Sequence, residues 1–172
     1  MNLSISDLVS AAEIISSFAI IVSLFYVGKQ ISLNTRANKS ESANSAIALM
    51  HNWYQSTGSS SQASSLWYKA NSKGISELEP EEVTQYMLLA HSIMLAMQNS
   101  FALLKEGTLD AGIHEALSST ILLTKNSKAF GAYWEQRKSH FTCEFQAYVD
   151  KIRSSEIAPN PSLIYPGDEN SV

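Results

Sequence analysis

Residues 8 to 27, LVSAAEIISSFAIIVSLFYV, form one nearly uncharged apolar stretch, and a lysine follows almost at once at Lys29. A run of about 20 residues is what a helix needs to cross ~30 Å of hydrocarbon. The stretch therefore predicts a transmembrane helix over residues 8–28 and a chain whose remaining residues serve one compartment. Its flaws are informative. Glu13, Ser10, Ser16, Ser17 and Ser23 lie within it. The strictly uncharged part, Ile14 to Gly28, is short for a bilayer, which puts Glu13 near the headgroups of one leaflet. A cleaved signal peptide would need a positively charged start and a small-residue cleavage site. Here MNLSISD carries Asp7 with no lysine or arginine, and the bulky FYVGKQI follows the apolar run. A buried helix of a soluble bundle is the other rival, because its apolar runs approach this length.

Orientation follows from the charges beside the span. Lys29, Arg36 and Lys39 lie on its C-terminal side, which positive-inside bias keeps in the cytoplasm. Tyr26 and Lys29 suit the interface, the ring at headgroup level and the amine snorkelling beyond it. The expected location is a membrane, crossed once, with the C-terminal domain cytoplasmic and the bilayer as one partner. The single cysteine, Cys143, rules out an intrachain disulfide and fits a reducing compartment.

Small residues also line one face of the span. Ala12, Ser16, Ala19 and Ser23 follow one another at spacings of four, three and four, with Glu13 bordering them. Such seams let helices approach closely, and hydroxyls can bond across the contact. The expectation is a homo-oligomer formed through the membrane helix.

The rest of the chain reads as helical. Apart from Gly28, nothing between Leu8 and Ser56 breaks a helix, and Ile31, Ala43, Ile47, Met50 and Trp53 or Tyr54 fall near helical spacing. STGSSSQASS at 56–65 interrupts that pattern, because its side chains compete for local backbone bonds. A short helix around Leu66 to Ala70 follows, stopped by Gly74. Pro80, Glu81 and Glu82 suit a first turn. Val83, Met87, Ala90, Met94, Met97, Phe101 and Leu104 then form an apolar row ending at Gly107. Asp110 can cap a helix carrying Ile113, Leu117 and Ile121. Ser127 can cap one carrying Phe130, Tyr133, Trp134 and Arg137, and Thr142 one carrying Phe145, Val149 and Ile152. The stretch 83–104 lacks charged residues, yet Gln85, His91, Ser92, Gln98, Asn99 and Ser100 would face an unhydrated medium in a second span. A central bundle helix explains them better.

About 140 residues outside the span suffice for one small helical domain with a core. A net charge of −4 argues against nucleic acid, whose binders need a basic face. Chemistry-bearing constellations are scarce. No phosphate-binding glycine loop, nucleophile elbow or paired-cysteine motif occurs. His140, Cys143 and Glu144 fall short of the four ligands of a structural zinc site, and read as a helix-junction histidine beside a buried or half-buried cysteine. Asp110 and His114 read as a helix cap beside an exposed histidine. No catalytic residue, metal or cofactor is assigned. Trp134 and Arg137 are the candidate partner-binding residues, although Arg137 can also pack on aromatic faces or reach Glu135 or Asp150.

EIISSFAIIVSLFYVGKQISLNT, through Glu13, Ser23, Leu24, Tyr26, Gln30, Ile31, Asn34 and Thr35, resembles the N-terminus of an uncharacterised family of bacterial single-pass membrane proteins, many from marine proteobacteria. KEGTLDAGI at 105–113 and YWEQRKSHFTCEFQAYVD at 133–150 are similar too, with Trp134, Arg137, Phe141, Phe145 and Asp150 at comparable places. Ser32 departs from the arginine usual in that family. The resemblance implies an N-terminal transmembrane helix and a helical cytoplasmic domain, and it implies no reaction.

The reading is thus an all-α protein: a transmembrane helix over 8–28 continuing into a helical bundle over 29–154, then a flexible tail over 155–172. The expected function is a membrane-anchored binding or scaffolding module with an unidentified protein partner. A membrane-bound enzyme with an unrecognised site, and a self-assembling pore or transport accessory, are the rival expectations.

Overall fold

A computed structural model describes residues 5–156, the side chains of residues 7 and 11 excepted, and these are all-α. Helix α1 runs Ile5–Gly58, α2 Ser61–Lys73, α3 Pro80–Lys105, α4 Ala111–Thr124, α5 Lys128–Arg137 and α6 Cys143–Ser154. Single 3-10 turns, Ile75–Glu77 and Lys138–His140, follow α2 and α5. Of the expected tail, only Ser155 and Glu156 lie among the described residues.

Short polar side chains start the helices by accepting orphan amide protons. Ser60 accepts from the Ala63 N–H at 3.2 Å, Asp110 from Gly112 at 2.8 Å, Ser127 from Phe130 at 3.3 Å and Thr142 from Phe145 at 3.4 Å. Ahead of α3, the Glu79 N–H donates to the Glu82 carboxylate at 2.9 Å. The serine-rich interruption is correspondingly short. Only Ser59 and Ser60 leave the helices, and α2 begins five residues before Leu66, because Ser60 caps a helix instead of opposing one. Gly107 closes α3 at φ +72°, its N–H reaching the Leu104 carbonyl at 3.0 Å. That left-handed conformation costs glycine nothing and other residues more than a kilocalorie.

The chain divides into two units, the first ending at Glu41 and the second starting at Ser42. In the first, the described apolar side chains of α1 from Ile5 to Leu33 are all exposed, Phe18 at 68% and Phe25 at 77%. The second has its own core. It begins inside α1, thirteen residues beyond the expected boundary at 29. On that stretch Ala46, Met50, Trp53 and Thr57 are buried at spacings of four, three and four, whereas Ile31 and Ile47 are exposed.

Helix α3 organises this second unit, packing against α2, α4 and α5, while α6 lies against α4. Neighbours on several sides widen its buried face beyond the single expected row. Tyr86, Ile93, Ala96 and Ser100 join Met87, Ala90, Met94 and Met97 in burial, and Val83 and Phe101 are only partly covered. Trp134, Tyr133, Phe145 and Val149 complete the centre. Each large side chain so enclosed contributes about 1.5–3 kcal/mol. On α4 the buried face is turned by one residue from expectation. His114, Ser118, Ile121 and Thr124 point inward, and Ile113 and Leu117 are half-buried.

Both α1 and α3 are long and apolar enough to cross a membrane by length and composition. They differ in what their apolar surface does. In the most apolar window of α3, 39% is buried within the protein, and in that of α1 none is.

Candidate functional site

On α1, Ala12, Glu13, Ser16, Ala19, Ser23, Tyr26 and Lys29 are all exposed. Three hydroxyls of this part of α1 bond to carbonyls of their own helix. Ser23 Oγ donates to the Ala19 carbonyl and Ser17 Oγ to the Glu13 carbonyl, each at 2.8 Å, and Thr35 bonds the Ile31 carbonyl at 2.9 Å. This back-bonding satisfies the hydroxyl donor without a second helix. The hydroxyl of Ser23 is therefore already engaged, and a seam through it would rest on close packing.

The bundle holds two histidine-centred polar clusters. In the first, Ser100 Oγ lies 2.8 Å from His114 Nδ1, and His114 Nε2 lies 2.9 Å from the Tyr148 hydroxyl. Three helices, α3, α4 and α6, supply these groups. Burial pushes the His114 pKa below its ordinary value. The neutral ring carries one N–H, so it donates to one neighbour and accepts from the other. This corrects the reading of His114 as an exposed neighbour of the Asp110 cap: it is 4% exposed, and Asp110 caps α4 separately. The Ser100–His114 distance suits a nucleophile and its base. Ser100, however, is 0% exposed, so its hydroxyl has no room to meet a substrate and joins three helices instead.

The second cluster lies where α3 meets the end of α5. His91 Nδ1 is 3.0 Å from the Tyr133 hydroxyl, and its ring sits 5.2 Å from Phe141 and 5.6 Å, edge-on, from His140. Burial, then the charges of His140 and Arg137, depress the His91 pKa. Burial pushes the Tyr133 phenol up, with Arg137 opposing, so the phenol stays protonated and able to donate.

The two residues expected to bind a partner separate. Trp134 is fully buried, stacked 5.6 Å from Phe141, and its Nε1 donates to Asp150 Oδ1 at 2.6 Å. It belongs to the core and offers no surface to a partner. Arg137 is exposed. The carboxylates expected for it go elsewhere: Arg153 takes Glu135 at 3.4 Å and Asp150 at 4.0 Å, and Lys138 takes Glu135 at 3.0 Å. The pairing with Lys138 holds the Glu135 carboxyl below its usual range.

His140, Cys143 and Glu144 form no unit. Cys143 is exposed rather than buried or half-buried, and Glu144 pairs with Lys105 at 2.6 Å. Among the described residues, no three His, Cys, Asp or Glu side chains gather as a metal site would require. A further surface cleft of about 380 Å³ lies between α1 and α3, lined by Leu49, Trp53 and Leu95 among others.

Sequence reasoning named neither Tyr148 nor Arg153, took His91 and Ser100 only as polar positions of a bundle helix, and took His114 as an exposed neighbour of a cap. For Ser100 a signal existed, since it extends the row Ile93, Met97 on α3, but a polar residue ending an apolar row reads as the edge of burial. Comparison with family models, curated proteins and solved structures found no match to this chain.

Proposed function

We propose that this protein is a membrane-anchored helical module in which α1 holds the bundle at a bilayer and the bundle binds a partner. The observation that carries the anchoring is the exposed apolar surface of α1 from Ile5 to Leu33. A continuous apolar face of this kind is costly in water and favourable in hydrocarbon. The helix also satisfies its own backbone and the hydroxyls of Ser17 and Ser23, as hydrocarbon demands. Lys29, Arg36 and Lys39 favour a cytoplasmic bundle. A binding role is supported over catalysis by the full enclosure of the Ser100–His114 pair, together with the exposed Arg137.

The test is extraction with alkaline carbonate combined with C-terminal reporters. The protein should stay in the membrane pellet. A reporter that fluoresces only in the cytoplasm should light up, and one needing export should stay silent. Release into the supernatant would end the anchoring reading, and the reverse reporter pattern would invert the orientation.

A further inference from the structure

Ser100, His114 and Tyr148 join three helices, and the bonding capacity of each group fixes where the protons sit. Ser100 is fully buried, and among the described residues its Oγ has one hydrogen-bond partner, His114 Nδ1 at 2.8 Å. A buried hydroxyl keeps its proton bonded, so Ser100 donates and Nδ1 accepts. The neutral ring then carries its hydrogen on Nε2 and donates to the Tyr148 oxygen at 2.9 Å. A proton added at Nδ1 turns that acceptor into a donor facing another donor. It also places a charge in a junction where His114 is 4% exposed and, among the described residues, belongs to no ion pair. From the geometry of this chain of bonds, we infer that Ser100, His114 and Tyr148 form a proton-operated clasp. Uptake of one proton at His114 Nδ1 frees α6 from α3 and α4 and uncovers Phe101 and Phe145.

The surroundings of the clasp make α6 the helix that leaves. Helix α3 is held by α2, α4 and α5, and α4 is held by α3 and by the bond between Tyr54 and Thr120 at 3.1 Å. Besides Tyr148, α4 grips α6 through Lys125 Nζ, which donates to the Ser155 carbonyl and hydroxyl. The exposed Lys105–Glu144 pair between α3 and α6 contributes little. A helix of 12 residues is marginal in water by itself, so α6 loses its own amide bonds once it parts from its neighbours. The Tyr148 ring lies 4.8 Å from Phe101 and 6.1 Å from Phe145, and its departure opens both. The groups facing His114 are Ser100 and Phe101 from α3 and Tyr148 from α6. On α4 itself Asp110 is bonded to the Gly112 N–H, and Glu115 is exposed. Burial, with no charged neighbour contributing, lowers the His114 pKa. The opened state returns the imidazole to its ordinary affinity, so opening rises as pH falls below about 6.5.

The clasp goes beyond the anchoring and partner proposals and needs neither, because all its residues lie in the second unit. The full chain in non-ionic detergent tests it. Long-range proton–nitrogen NMR at pH 7.5 should show His114 as the Nε2–H tautomer, and the Nδ1–H tautomer would overturn the inference. Amide hydrogen exchange, corrected for the intrinsic effect of pH, should show α6 opening about tenfold more at pH 5.5 than at pH 7.5. That is the ratio for one group of ordinary histidine affinity protonated only in the opened state. Helix α2, which holds none of the three groups, should change by less than about twofold. Equal acceleration in α2 and α6 would mean global unfolding, and no acceleration in α6 would mean no clasp; either result overturns the inference. His114→Gln, with native circular dichroism at pH 7.5, should abolish the acid response of α6, and a response that persists overturns it too. If that variant does not fold, the tautomer and the comparison of α6 with α2 in the native chain decide.

Discussion

At the scale of single residues, the chain Ser100–His114–Tyr148 carries a pH dependence whose sign follows from burial. The folded-state pKa of His114 lies below its ordinary value, so the unfolded chain binds the proton more tightly. Its stabilisation is complete above the unfolded value near 6.5 and is lost as pH falls from there toward the depressed folded value. His91 works in the same direction. The thermal midpoint of the detergent-solubilised protein should fall between about pH 7.5 and pH 5. His114→Phe should lower stability by about 1–3 kcal/mol near neutrality, since it leaves two polar partners unpaired. It should also flatten the acid-side decline, and a variant with the native slope would remove His114 from the explanation. At Trp134 the cost comes from packing. Truncation to alanine should destabilise by about 3–5 kcal/mol, by thermal or denaturant unfolding, because removing the fully buried indole leaves a cavity. A loss below 1 kcal/mol would contradict that placement.

At the scale of elements, two helix features separate backbone demand from surface demand. Gly107 ends α3 at positive φ with open space around it, so an added Cβ would meet no atom and only the backbone would object. Gly107→Ala should cost about 1–2 kcal/mol, and an unchanged unfolding midpoint would show that the α3–α4 connection relaxes freely. In α1 the question is close approach. We propose self-association along Ala12, Ser16, Ala19 and Ser23, carried by packing because the Ser23 hydroxyl is bonded to its own helix. Ser16→Leu and Ala19→Ile should each lower the signal of a transmembrane association reporter while insertion persists. An undiminished signal in both would leave α1 as an anchor alone.

At the scale of the whole molecule, the division at Ser42 makes α1 serve two units through one continuous helix. Its last part belongs to the bundle: Met50 and Trp53 lie in the core, and Trp53 Nε1 donates to the Leu89 carbonyl at 3.0 Å. A chain beginning at Ser42 should therefore remain in the soluble fraction and melt cooperatively. One beginning at Ser59 should lose several kcal/mol, since each large core side chain removed costs about 2–5. Circular dichroism melts of the two would show this, and equal midpoints would place the core wholly within α2 to α6.

Local chemistry along the chain determined the all-α class, the caps at Asp110, Ser127 and Thr142, the stop at Gly107 and the apolar run over 8–27. Those features depend on a residue and its near neighbours, through amide bonds, permitted φ and hydropathy, so they can be read one segment at a time. Which helical face turns inward depends on where the other helices stand. Only the tertiary structure could therefore rotate α4 to bury His114, widen the covered face of α3 to include Tyr86 and Ser100, and enclose Trp134. The same holds for charge. Glu135 and Asp150 were legible as acceptors, but Arg153 rather than Arg137 reaches them, because α6 packs beside α5 and brings its own arginine within 3.4 Å of Glu135. That three-dimensional choice leaves Arg137 outside the ion pairs formed among the described residues.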